Sequence, residues 1–126
     1  RVLLPLLERA KWVSFSPESS WLEYMIQRKG ESYIIPIFNH GNVGFPSGNG
    51  VDHGLWKGKI RLSFDKFANL KVHELEAWTV EFNDPEIKLT EIPVKKEKDC
   101  ITINLTVDKR IELIIGPKGL TQNEFF

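Results

Sequence analysis

The residues best suited to chemistry crowd into one stretch, FNHGNVGFPSGNGVDHGLW, running from Phe38 to Trp56. His40 and His53 stand at its two ends with Asp52 beside the second, and imidazole with carboxylate is a ligand set that suits zinc. Asn39, Asn42, Asn49 and Asp52 add oxygen donors of the kind calcium takes. Their spacing matches neither a standard zinc pattern nor the alternating acids of a calcium loop, and a single aspartate carries little charge. No metal and no other cofactor is therefore expected.

Catalytic patterns are also missing. Ser47 in Phe45-Pro46-Ser47-Gly48-Asn49 lacks the glycine two residues before it that a nucleophile elbow needs. The glycines at 41, 44, 48 and 50 are followed by no Lys-Ser/Thr pair, so they build no phosphate cradle. Their use is conformational: glycine and asparagine accept positive φ and support consecutive tight turns. The lone Cys100 excludes an internal disulfide and stands next to an alternating apolar run, as a quiet strand-edge thiol. The chain by itself reads as no enzyme. A small metal-binding or hydrolytic protein is the third reading of the stretch.

Aromatic residues offer a different chemistry. Trp12, Trp21, Trp56 and Trp78, with Tyr24 and Tyr33, have flat faces that stack on sugar rings and polar atoms that reach hydroxyls. Trp56 keeps phase with Ile60 and Leu62 and is expected in the core. Trp21 is out of phase with Leu22, Tyr24 and Ile26, which makes it the exposed candidate. Trp78 falls in phase with Val80 and Phe82 but not with Leu75 and Ala77. An exposed apolar cluster would point instead to a domain interface.

The elements that must position these groups are strands. Apolar residues recur with period two over Ile101–Val107 and Ile111–Ile115, and Asp108-Lys109 between them predicts a hairpin. Trp56 to Phe64 alternates in the same way, with Lys57, Lys59 and Arg61 on a wet face. Further strands are expected over residues 21–28, 31–39, 72–82 and 88–94, with Lys29-Gly30 and Asn83-Asp84-Pro85 as turns. Pro36 cannot donate to a ladder, so its strand is expected at an edge or with a bulge. A short helix over Leu3–Lys11 and one turn over Asp65–Asn69 complete the pattern. The expectation is an all-β fold, an antiparallel β-sandwich of about eight strands with a short N-terminal helical segment, a barrel being the alternative.

Bulk composition narrows the partners. With 126 residues the chain fits one domain, expected as residues 1–126 with a leader at 1–11 and a tail at 117–126. Seventeen basic residues balance seventeen acidic ones, which leaves no electrostatic footprint for nucleic acid. No apolar run has the length of a membrane span, and no signal-peptide pattern is present. The opening Arg1-Val2-Leu3-Leu4-Pro5, without an initiator methionine, suggests a domain cut from a longer polypeptide. The Asn104-Leu105-Thr106 sequon falls on a predicted polar face. Compartment is not readable from these residues.

In the order of its elements, PLLERAKWVSFSPESSWLEYMIQRKGESYIIPIFNHG (residues 5–41), followed by VHELEAWTVEF (72–82) and ITINLTVDKRIELIIGP (101–117), resembles the C-terminal all-β accessory domain of multidomain glycoside hydrolases. The resemblance spans nearly the whole chain and brings no catalytic residue. It implies a non-catalytic β-sandwich that packs on, and supports, the catalytic domain of the same polypeptide, the parent being the glycoside hydrolase. The alternative is a carbohydrate-binding module using the 39–56 loop and exposed aromatics. Under either reading Trp21, Asn39, His40, Asn42, Asn49, Asp52 and His53 are the residues expected to meet sugar or partner.

Overall fold

Alternation of apolar and polar residues becomes ten strands in the computed structural model, which describes residues 12–41, 54–83 and 86–119. They are β1 (Val13–Ser16), β2 (Leu22–Tyr24), β3 (Gln27–Lys29), β4 (Ser32–Asn39) and β5 (Trp56–Ser63). After a short 3₁₀ turn at Ala68–Val72 come β6 (Leu75–Asn83), β7 (Glu86–Ile92), β8 (Lys95–Lys96), β9 (Cys100–Val107) and β10 (Arg110–Pro117). Every pairing is antiparallel. One sheet has the order β1-β5-β9-β8, and the other β2-β4-β10-β6-β7 with β3 also on β4. The fold is all-β, and no α-helix occurs among the described residues. The helix expected over Leu3–Lys11 lies outside them, as do Asp84 and Pro85 of the expected turn.

Both sheets contribute to one hydrophobic core. Ile60, Leu62, Ile101 and Ile103 from the first meet Ile35, Ile37, Leu113 and Ile115 from the second, all essentially without solvent contact. Phe67 and Leu70 of the connecting 3₁₀ segment close one end, and Phe67 meets the Tyr33 ring edge-on at 4.7 Å. Burying side chains of this size stabilises by about 1.5–3 kcal/mol each, so this common core dominates the stability. Trp56 is buried as its phase requires, and its indole N–H donates to the Pro17 carbonyl at 3.0 Å.

Two expectations are corrected. The runs flanking Asp108-Lys109 do not form a hairpin: β9 pairs with β5 and β8, whereas β10 pairs with β4 and β6. A two-residue type I′ hairpin needs positive φ at both loop residues, and among the described residues only glycines have it. Asp108 and Lys109 therefore carry the chain from one sheet to the other. By contrast, the β3–β4 turn has Gly30 at φ 61°, the first loop position of a tight hairpin.

Pro36 lies neither on an edge nor at a bulge. Strand β4 is interior, with β10 on one side and β2 and β3 on the other. The register across β2, β3 and β4 is continuous, from Leu22↔Asn39 through Tyr24↔Ile37 to Gln27↔Ile34, so Met25 falls opposite Pro36. The Pro36 carbonyl accepts from the Met25 N–H at 3.2 Å, which turns the side lacking an N–H toward Met25. Proline thus removes one rung of the ladder, and the expected strand over 21–28 is divided there into β2 and β3.

Candidate functional site

The ends of the glycine-rich stretch are held by one side chain. Asn39 is buried, and its amide N–H groups donate to the Gly54 carbonyl at 3.0 Å and the Val107 carbonyl at 3.2 Å. Its side-chain oxygen accepts from the Gly41 N–H at 3.0 Å, and its own backbone N–H donates to the Lys109 carbonyl at 2.9 Å. Asn39 is therefore a clasp that joins Gly41 to Gly54 and pins the crossover between sheets. Asn42, Asn49, Asp52 and His53 lie outside the described residues.

Trp21 and His40 sit together, one step along the β2–β4 ladder from Leu22 and Asn39. The His40 N–H donates to the Trp21 carbonyl at 2.8 Å. The imidazole stacks on Phe38 at 6.3 Å between centroids, and its Nε2 lies 3.2 Å from Glu23 Oε1. Arg110, paired with Phe38 across β4 and β10, holds its guanidinium 5.3 Å from the Phe38 ring centre. Trp21 is 40% exposed, as its phase predicts. Among the described residues no group of three His, Cys, Asp or Glu side chains is placed to hold a metal ion.

Register shows which face these residues occupy. In the second sheet the inner positions carry the core, Ile35, Ile37, Leu113, Ile115 and Ala77. The outer positions mix apolar residues with a few polar ones. One row runs Met25, Pro36, Glu112, Val80, Leu89, and the next runs Gln27, Ile34, Ile114, Trp78, Glu91. Ile87 adds to them from β7 and is 63% exposed, Met25 53% and Leu89 47%. Trp21 and His40 border this face at the β2–β4 end, where Glu23 and Arg110 give it a polar margin.

This partly apolar face is a candidate surface that inspection of single aromatic residues overlooks. Its signal was present in Glu86-Ile87-Lys88-Leu89-Thr90, where the apolar positions fall on the face opposite Ile92. A strand apolar on both faces marks a sheet with two things to cover. Buried hydroxyls elsewhere serve the fold. Tyr33 donates to Asn69 Oδ1 at 2.5 Å, and Asn69 in turn donates to the Glu31 carbonyl at 3.0 Å. Burial raises the pKa of both Tyr24 and Tyr33, holding their phenols neutral into the alkaline range; at Tyr33 the nearby Arg28 works in the opposite direction.

A second feature lies between the sheets. A cleft of about 710 Å³ opens where β6 and β7 pass Gly58 and Leu105. No family model matches this chain, and no curated protein is significantly similar to it. No helix among the described residues is long and apolar enough to cross a membrane.

Proposed function

We propose that the two sheets pack face to face as a β-sandwich, and that the chain is a non-catalytic accessory domain docked on the catalytic domain of a carbohydrate-active enzyme. The observation that carries this reading is the apolar outer face of the second sheet. Met25, Ile87 and Leu89 are exposed there, with Ile34 and Trp78 half-buried beside them and Val80 and Ile114 already buried. An apolar surface of this extent with a polar margin is suited to covering by another protein surface. The occupant is the catalytic domain of the same polypeptide, because the sequence resemblance is to domains that pack in this way.

The test labels one residue in two contexts. Leu89→Cys in the isolated chain should react rapidly with a maleimide, while the buried native Cys100 stays slow. Within the full polypeptide that contains the catalytic domain, labelling of the introduced thiol should fall at least tenfold. Equal labelling in both contexts overturns docking through this face, and a parent polypeptide with no catalytic domain overturns the reading itself.

A carbohydrate-binding module remains the second reading for one specific reason, the exposure of Trp21 beside His40. Trp21→Ala should abolish retardation in polysaccharide gels if that surface stacks on sugar.

A further inference from the structure

Along β2 and β3 the inner face of the second sheet ends in a cation. Tyr24 pairs with Ile37 and Arg28 with Tyr33, both core residues, so Tyr24, Ile26 and Arg28 share the inner face. Tyr24 and Ile26 are half-buried against the core. An inner position normally carries an apolar residue, because a charge there loses its water. Arg28 is exposed, so the core is open to solvent at this corner. A cavity of about 350 Å³ occupies the opening, and its lining includes Trp12, Tyr24, Ile26, Arg28, Tyr33 and Lys66.

Two residues of that lining are cationic and none is acidic. Each cation lies over a ring that also lines the cavity. The Arg28 guanidinium carbon is 5.5 Å from the centre of the Tyr33 ring, and Lys66 Nζ is 5.1 Å from that of Trp12. The rings thus hold both charged groups at the wall. Arg28 Nε donates to the Gly30 carbonyl at 2.8 Å, which fixes the guanidinium and leaves its two Nη groups to meet a ligand. Neither cation forms an ion pair among the described residues. Glu31, in the β3–β4 turn, does not supply the missing charge. Its Oε2 lies 3.3 Å from Asn69 Nδ2 and 3.4 Å from His73 Nε2, and it is not part of the lining. A concave site lined by charge of one sign concentrates ions of the other, so this one favours an anion.

We infer that this cavity binds a small organic carboxylate with an apolar body, an aromatic acid of about the size of benzoate. The Nη groups of Arg28 match the two carboxylate oxygens as a fork, and Lys66 donates from the Trp12 side. Tyr24 and Ile26 form the wall on which the ring lies. The wall also decides against a sugar. The only side-chain oxygens in the lining are the two phenols, and that of Tyr33 already donates to Asn69, so hydroxyls would find few acceptors. The volume is that of a small-molecule site. The inference does not rest on the docking reading, because Tyr24, Ile26 and Arg28 lie on the opposite face of these strands from Met25.

Benzoate titrated into the isotope-labelled 126-residue chain should move the NMR signals of the Trp12 indole N–H and the Arg28 Nε–H saturably, with a Kd on the order of 1 mM. Benzamide keeps the shape without the charge, and acetate keeps the charge without the ring. Each should bind about tenfold more weakly or worse. Arg28→Met and Lys66→Met should each weaken benzoate about tenfold or more, since each removes a charge-assisted hydrogen bond. Arg28→Lys should restore only part of the loss, because an ammonium lacks the fork. Lys59→Met, an exposed cation of β5 outside the cavity, should leave binding unchanged. No saturable shift, or shifts centred on Trp21 or Trp78 instead of Trp12, overturns the inference and leaves docking standing. So does wild-type affinity in both Arg28→Met and Lys66→Met. Equal binding of benzamide or acetate removes the charge or the apolar body from the account, and tighter binding of glucuronate puts a sugar acid in its place; each overturns it.

Discussion

Asn39 satisfies three backbone groups with one side chain, and each of those groups loses its partner if the amide is removed. Leaving buried polar groups unmet costs about 1–3 kcal/mol each, so Asn39→Ala should destabilise by about 3 kcal/mol in urea denaturation. Asn39→Asp is the sharper variant. It keeps the shape but sets carboxylate oxygen against the Gly54 and Val107 carbonyls, and it should be at least as damaging as alanine. A stability near wild type for either would remove the clasp from the account. Tyr33, with Tyr24, contributes to the alkaline limit. Its raised pKa means that the unfolded chain ionises first, so stability is complete below pH about 10 and falls as pH rises beyond it. Tyr33→Phe should cost about 1 kcal/mol at neutral pH through the lost bond to Asn69. It should also flatten the decline between pH about 9 and about 11 in a pH series of thermal melts.

At the scale of elements, two short features decide how strands meet. Gly58 lets the chain at Ser16-Pro17 lie directly on β5, and the Trp56 indole bond to Pro17 fixes that approach. Gly58→Ala should cost about 2 kcal/mol by overpacking. It should also loosen β1, seen as faster hydrogen exchange at Val13–Ser16 than in the core strand β9. Unchanged exchange there would show that the crowding relaxes elsewhere. These positions also show how far sequence reading reaches. Alternation located the long strands β4, β5, β6, β9 and β10, because side-chain burial on a pleated sheet has period two whatever its neighbours are. Partner choice was less legible. Asp108-Lys109 has the length of a hairpin loop but not its chemistry, and the missing glycine was the readable sign. Pro36 was read as an edge marker because its missing donor is a local fact, whereas the interruption opposite it belongs to another segment. The short strands β1 and β8 carry too few residues to show any period.

Across the whole molecule, charge is balanced, the core is shared by two sheets, and the second sheet carries apolar residues on its outer face as well. Single aromatic residues drew attention in the sequence, yet the surface that stands out is assembled from ordinary aliphatic residues on four strands. Such a surface is invisible until register aligns them. In isolation it should also be a liability. The free chain is expected to self-associate at high concentration through this face, and Ile87→Lys with Leu89→Lys should shift sedimentation toward monomer without lowering the melting temperature. A monomeric wild type at millimolar concentration would argue that the face is adequately solvated.

The clasp at Asn39 has a consequence for how this chain can vary. Gly41 and Gly54 are both bonded to the same buried side chain, so the two sheets are stitched together below whatever sequence joins those glycines. The cost of lengthening a flexible connection grows only logarithmically, about 0.6 kcal/mol for each doubling. A variant in which residues 42–53 are exchanged tests whether the bonds to Asn39 hold Gly41 and Gly54 by themselves. Replacing residues 42–53 with a tract twice as long should lower stability by about that amount, provided Asn39 is kept. In Asn39→Ala the same replacement should cost more, and the difference measures how far the clasp frees this site for new recognition.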